Sequence, residues 1–245
     1  MNPTIQTLTQ HRTYRDFDPE YRLDDASLEA ILAAAQQAPA WRNAQHYSII
    51  NIKDADLRAK IVALQPLNPQ IGDCAEFLIF CADLYKTKLA SDAMGGSFNG
   101  GGHPEAFINA ISDTSMAFQN AVVAAESLGL AICPIGGLRA VATELIDLLN
   151  LPQYVYPIVG LCIGKPSVEM RLKPRLPLRA VYFDNQYDAS HLPADLADYE
   201  ATMTEFGEKR EKFPWRQKLS YSYDKAPDAK SHALLKQQGF LTYEE

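Results

Sequence analysis

The chain lacks most of the features that announce a specialised chemistry. It has four cysteines, Cys74, Cys81, Cys133 and Cys162, and no two stand at C-x-x-C spacing. Three of them, Cys81, Cys133 and Cys162, lie in apolar stretches, so buried free thiols are expected rather than disulfides or metal ligands. The five histidines are scattered, without an i,i+4 pair or an H-E-x-x-H group, which argues against a zinc site. Positive charge is in deficit: 23 Lys and Arg face 30 Asp and Glu, a net charge of -7. No basic face stands out, so no nucleic-acid partner is expected. No apolar run approaches the length that spans a bilayer, so no membrane partner is expected either. Met1-Asn2-Pro3-Thr4 lacks the charged start and apolar core of a signal peptide, and a cytoplasmic location is the expectation.

What is present suits a globular fold. The 245 residues are 47% hydrophobic and 22% charged. That is enough for one sizeable domain, or a domain with an appended arm. Within this acidic chain, cations concentrate at two distant places, His11-Arg12-Thr13-Tyr14-Arg15-Asp16-Phe17 and Leu172-Lys173-Pro174-Arg175-Leu176-Pro177. Guanidinium forks match phosphate oxygens, so two clusters joined by folding suit one phosphorylated ligand. On spacing alone, solvated basic residues with no ligand are the commoner reading.

The periodicity alternates between helix and strand. A short helix is expected over 4–10. Asp24 or Asp25 caps a second one, through Leu28, Ile31, Leu32 and Ala35, which stops by Pro39. Tyr47–Ile52 reads as a strand, Asp54 opens a helix through Leu64, and Phe77–Ala82 is an apolar run suited to a sheet covered on both faces. Phe107–Leu128 is a long helix apolar on much of its circumference, expected to be buried or to meet another subunit, with Gly129 as its terminating residue. Strands at 131–135 and 155–164 flank a helix at 141–149. Residues 192–212 read as a charged helix, 213–226 as a loop and 228–238 as a final helix. Residues 91–104 have the composition of a mobile loop or lid; without a G-K-[ST] ending they are not a phosphate loop. The whole is an α/β or α+β domain with a C-terminal extension.

At this point five segments, in order, resemble one family. His11–Phe17 is similar to the opening motif of the nitroreductase-like FMN flavoproteins, and Pro39-Ala40-Trp41-Arg42-Asn43-Ala44-Gln45 to their N-x-Q segment. Ala124–Leu130 with Ile135-Gly136-Gly137-Leu138-Arg139, Pro157–Pro166 and Leu172–Pro177 resemble the oxygen-insensitive NADPH nitroreductase and flavin reductase branch. The likeness runs from residue 3 to about 180.

The resemblance implies an α+β fold with a mixed central sheet wrapped by helices, and an interlocked homodimer with two FMN sites at its interface. Residues 1–180 would form the FMN-binding core, and 181–245 a C-terminal extension of the same domain with a charged helix and a mobile loop. His11, Arg12 and Thr13 would hold the FMN phosphate and ribityl chain, with Lys173 and Arg175 completing the phosphate grip. Arg15 would face N1 and O2 of the ring system. Asn43 and Gln45 would contact the ribityl chain or ring edge from the other subunit. Pro134 and Ile135 would lie against one ring face, with the backbone N–H of Gly136 at N5 and Gly137 beside it. The chain departs from the branch in carrying Ala40, Trp41 and Arg42 where serines are common, and in a glycine-rich insertion over 95–102. A glutamine usual near the flavin has no obvious counterpart; Asn68 or Gln70 stands in its place.

The implied chemistry needs no side-chain acid or base. A hydride from NADPH reaches flavin N5, negative charge gathers at N1 and O2, and a fixed cation such as Arg15 stabilises it. Nitroaromatics, quinones or free flavin would then be reduced in a ping-pong cycle. Among enzymes the alternative is a dedicated NADPH–FMN reductase; outside them, a flavin storage or carrier protein. Around the ring, His46 is expected to be partly exposed and hydrogen-bonded, Trp41 to stack on a substrate or fill an interface, and Cys133 to be a small buried hydrophobe. The basic stretch Lys209, Arg210, Lys212, Arg216 and Lys218 is either a solvated face or a reader of the NADPH 2′-phosphate, with Arg210 and Arg216 the first candidates.

Overall fold

The computed structural model describes residues 2–207, 213–224 and 229–243. They fall into two compact units, one within Met1–Met170 and Ala229–Glu245, the other within Arg171–Asp228.

The first unit is built on four strands: β1 (Tyr47–Asn51), β2 (Glu76–Asp83), β3 (Ala131–Ile135) and β4 (Val155–Gly164), in the order β1-β2-β4-β3. All three ladders are antiparallel, which corrects the expected mixed sheet. The parallel element is reduced to a single isolated bridge, Thr13 to Ile132. Pro157 lies opposite Cys81, just where the β2–β4 register shifts between Phe80 and Cys81. A bulge accepts the missing N–H that a regular ladder would not.

Alternation along β2 sends its side chains to two cores. Phe77, Ile79 and Cys81 join Ile61, Ile71, Leu138 and Leu145 on one face. Leu78 and Phe80 join Ile31, Ala117, Ala121 and Ala125 on the other. Helices therefore cover both faces, as the unbroken apolar run of β2 requires.

Each early helix begins at the cap its sequence offers. Asn2 caps α1 (Pro3–Thr9), Asp24 caps α2 (Asp25–Gln36) and Asp54 caps α3 (Ala55–Leu64); in each the side-chain oxygen accepts a backbone N–H from the first turn, at 2.9, 2.8 and 2.7 Å. Two short helices were not foreseen, α4 (Gln70–Asp73) and α5 (Tyr85–Ala93). The long helix α6 (Pro104–Ser127) differs from the expectation of broad apolar burial. Its buried face is mostly small, with Ala110, Ala117, Ala121 and Ala125 letting it lie close to the sheet and α2, while Ile108 is 57% exposed. Gly129, at φ +76, ends it, and the Gly129 and Leu130 amides donate back to Glu126 and Ala125. Helix α7 (Ala142–Leu148) follows.

Residues 91–104, expected to be a mobile loop, are tied down. Helix α5 runs to Ala93, a 3-10 turn spans Asn99–Gly102, and Gly101 and Gly102 are buried. The Phe98 ring covers Gly101 so closely that a Cβ there would collide with it, and packs edge-on to Tyr154 at 5.2 Å. The Tyr243 amide donates to the Gly102 carbonyl at 3.2 Å. This anchoring is long-range, so local composition does not report it.

In the second unit, α8 (Leu192–Phe206) ends at Gly207, φ +57. The segment 213–226, expected to be a loop, holds α9 (Trp215–Asp224). Pro214 is compatible because it stands just before the helix, where no N–H is needed. Trp215 packs edge-on to Tyr199 of α8 at 4.9 Å, which anchors the turn that local propensity left undecided. Helix α10 (Ala229–Gln237) closes the first unit, with Phe240 beyond it fully buried.

Candidate functional site

The first basic cluster is held by backbone bonds to the sheet. The Tyr14 amide donates to Ile132 O at 2.9 Å, Asp18 N to Lys165 O at 2.9 Å and Ser167 N to Asp16 O at 3.1 Å. Phe17 is buried against Gly164, where a Cβ would come within 2.9 Å of the ring. This stitching leaves His11, Arg12, Thr13 and Arg15 half-buried at the start of β3. His11 Nδ1 lies 2.7 Å from Glu126 Oε1 of α6. Arg12 donates to Gln10 O at 2.8 Å, and among the described residues neither Arg12 nor Arg15 pairs with a carboxylate. Half-buried guanidinium groups without a counter-ion have donors to spare for an anion. A depression of about 390 Å³ opens beside them, lined by Gln6, Gln10, Arg12, Tyr14 and Glu126.

Strand β3 connects this cluster to the glycine pair. From Ile132 to Gly136 is four residues, about 13 Å at the rise of a strand. Ile135 is buried, whereas Pro134, Gly136 and Gly137 are exposed. Gly136 opens a 3-10 turn over Gly136–Val141, whose first amides have no partner within the turn. A Cβ at Gly137 would come within 2.6 Å of Gln65 Oε1. The Gln65 amide donates to Gly137 O at 3.1 Å, Asn68 to Gln65 Oε1 at 3.1 Å, and Gln70 to Asn68 Oδ1 at 3.3 Å. Asn68 and Gln70, expected in place of the family's glutamine, lie further along this relay than Gln65, which bonds Gly137 directly. Its signal was slight: a glutamine closing the α3 pattern, directly before Pro66.

Cys133 is buried beside this relay, its Sγ 3.6 Å from Gln70 Nε2. Burial, reinforced by Asp83, pushes the Cys81 thiol up to about 12. Burial and the neighbouring Cys74 likewise push the Cys162 thiol well above its ordinary value.

The 40–46 segment is strained and pinned. Arg42, Asn43 and Gln45 adopt left-handed φ values of 50, 56 and 52. Such conformations persist only where surrounding contacts over-determine them. Here a carboxylate on α6 does so: Asp113, 1% exposed, accepts from Trp41 N at 2.9 Å, His46 N at 3.1 Å and His46 Nδ1 at 3.1 Å. His46 is therefore buried, at 3% exposure, rather than partly exposed as expected. Asn43 and Gln45 are brought together, Gln45 Nε2 donating to Asn43 O at 3.3 Å.

In the second unit, Tyr199 Oη donates to Pro174 O at 3.0 Å and holds the segment carrying Lys173 and Arg175. Lys173 is half-buried and Arg175 exposed. Arg216 sits on α9 and grips Glu200 of α8 through Nε and Nη2, each at 3.1 Å. Glu200 holds that guanidinium above its ordinary value and is itself held below the usual carboxylate range. Lys209, Arg210 and Lys212 lie outside the described residues.

An antiparallel sheet covered by helices on both faces, with a basic segment stitched to one strand and a glycine pair at that strand's end, defines an α+β protein. The nitroreductase family model matches residues 8–165, and the model of the nitroreductase family C-terminal domain matches 173–243. The chain belongs to the nitroreductase family. It is 35% identical to an FMN reductase [NAD(P)H] of Bacillus subtilis, over 98% of each chain. It is 40% identical to an oxygen-insensitive NADPH nitroreductase of Salmonella typhimurium, over 84% of this chain and 83% of that one. Among solved structures, that of B. megaterium NfrA2 superposes with a TM-score of 0.94 at 34% identity, covering the whole of both chains. Among the described residues no helix is long and apolar enough to cross a membrane.

Proposed function

We propose that this protein is an FMN-dependent NADPH oxidoreductase that reduces nitroaromatics, quinones or flavins by a ping-pong cycle. One observation carries the reading. Arg12 and Arg15, half-buried and without carboxylate partners among the described residues, are bonded through Thr13 and Tyr14 to a strand that ends in exposed Gly136-Gly137. When bound, FMN supplies the two-electron chemistry. His11, Arg12 and Thr13, with Lys173 and Arg175, hold its phosphate and ribityl chain. Arg15 places positive charge where N1 and O2 become electron-rich. The missing side chain at Gly136 would admit the ring edge and its amide would donate toward N5, with Pro134 and Ile135 beside one face, while Gly137 makes room for Gln65 behind it. No residue is required to move a proton. Arg210 and Arg216 read the 2′-phosphate of NADPH.

The protein works as a cytoplasmic homodimer in this reading, with Asn43 and Gln45 completing the partner's site. The exposed apolar residues Ile5 and Leu8 on α1 and Ile108 and Leu128 along or beside α6 support a subunit interface there. A dedicated flavin reductase is the second reading, favoured by the end-to-end likeness to a protein named for that activity.

The test is direct. Purified protein should be yellow, NADPH should bleach it without oxygen, and menadione or nitrofurazone should restore the colour. Protein that binds no FMN, or bound FMN that NADPH leaves oxidised, defeats the proposal; the second outcome favours a carrier. Comparing kcat/KM for FMN, a quinone and nitrofurazone separates the two enzymatic readings.

A further inference from the structure

A chamber is lined in part by Trp41 and His46 of the strained 40–46 segment. Its volume is about 340 Å³, and its wall is mostly apolar, with Trp41, Leu84, Phe98 and the backbone of Gly100 and Gly101. Three features mark it as built for a ligand. The first is Trp41, whose position is set yet whose ring is 46% exposed. Its amide is fixed on Asp113, the Arg42 guanidinium covers the ring at 4.6 Å, and the His46 ring stands 5.9 Å away. The second is the glycine-rich stretch 95–102, where Phe98 folds over Gly101 and lines the chamber. The third is His46, which lines the chamber although it is 3% exposed. Its Nδ1 is committed to Asp113, so the proton on that nitrogen serves the carboxylate. Its Nε2 has no partner among the described residues. That nitrogen is not sealed in the core, so it is open to accept a hydrogen bond from a ligand in the chamber.

We propose that this chamber binds a planar phenol, its ring against Trp41 and Phe98 and its hydroxyl donating to Nε2 of His46. The other polar side chains on its wall are Thr87, His103, Glu105 and Asn109; of these the Glu105 carboxylate can only accept, which suits a ligand that donates.

The experiment uses the holoprotein and calorimetry with two redox-inert probes, 1-naphthol and its ether 1-methoxynaphthalene. One 1-naphthol should bind per chain, and the ether at least about tenfold more weakly, since only the phenol can satisfy Nε2. His46→Asn places an amide nitrogen where Nδ1 was, keeping the bond to Asp113 while deleting Nε2; it should erase the discrimination between the probes. Trp41→Ala removes an exposed ring and should weaken both probes about fivefold or more. No binding of 1-naphthol at millimolar concentration overturns the proposal. So does equal binding of the two probes, or an affinity for 1-naphthol unmoved by Trp41→Ala. A long-wavelength charge-transfer band also overturns it, because the phenol then sits on the flavin.

Discussion

His11 Nδ1 and Glu126 Oε1 stand 2.7 Å apart, joining the first residue of the basic cluster to the last turn of α6. The carboxylate is only 12% exposed, so it orients the imidazole in a partly desolvated site. Glu126→Ala should therefore loosen FMN about three- to tenfold without touching the flavin itself, as loss of an orienting partner does. His11→Ala should do the same, and the double variant should add little. Full additivity in FMN dissociation constants would show that the two do not act as a unit.

The phosphate grip is expected to include the second cluster. Arg175→Ala should weaken FMN by roughly 2–4 kcal/mol, as a lost charge-assisted contact that leaves a phosphate oxygen unpaired. Lys173→Ala should act in the same direction. Flavin titrations showing unchanged affinity in both variants would remove them from the site.

Arg15→Ala should retain most FMN yet slow its reduction by roughly tenfold or more. The cation acts on charge that develops during hydride transfer more than on the resting ligand. The checks are the anaerobic rate with NADPH and the flavin midpoint potential, which should fall. If neither moves, Arg15 is not beside N1.

Neutralising Arg210 and Arg216 together should raise the KM for NADPH and leave NADH nearly unaffected, because only NADPH carries the 2′-phosphate. Arg216 also grips Glu200, so Glu200→Gln is the matched control for the α8–α9 contact. An NADPH/NADH ratio that survives the double variant, or that Glu200→Gln changes equally, assigns the selectivity elsewhere.

The buried thiols give a pH signature. Cys81 ionises at about 12 in the folded chain against an ordinary value of 9.0, because burial and Asp83 disfavour the thiolate. Its neutral form is thus favoured by folding. The associated stability is fully present below pH 9.0 and is lost as pH rises toward about 12. Cys81→Ala should flatten the fall in melting temperature above pH 9.0 relative to the parent chain. The folded protein should resist thiol reagents at pH 8 and react on unfolding; rapid modification of Cys81 in the native state would contradict its burial.

Local signals carried much of the fold. Asp24 and Asp54 are caps because a short acceptor stands before an apolar 3.6-residue pattern, and Gly129 ends α6 because φ +76 costs glycine little. The strand 155–164 was legible to the residue. The errors share one cause. Helix α9 was read as a loop because Pro214 and a polar composition outweighed Trp215, whose partner Tyr199 lies sixteen residues away in the chain. Glycine gives residues 91–104 the composition of a mobile loop, and the contacts of Phe98 with Tyr154 and of Gly102 with Tyr243 are long-range partners that composition does not show.

By itself the sequence determined which residues cap, turn and alternate, and it placed the basic clusters and the glycine pair in order, since these depend on neighbours a few residues apart. The tertiary structure alone decided that the sheet is antiparallel throughout, that Gln65 rather than Asn68 or Gln70 supports Gly137, and that Asp113 pins the strained 40–46 segment through His46. Each of these is a pairing between groups up to eighty-seven residues apart, as Glu76 and Ile163 are, selected by packing and by the cost of leaving a buried donor or acceptor unmatched, and no local pattern encodes that cost.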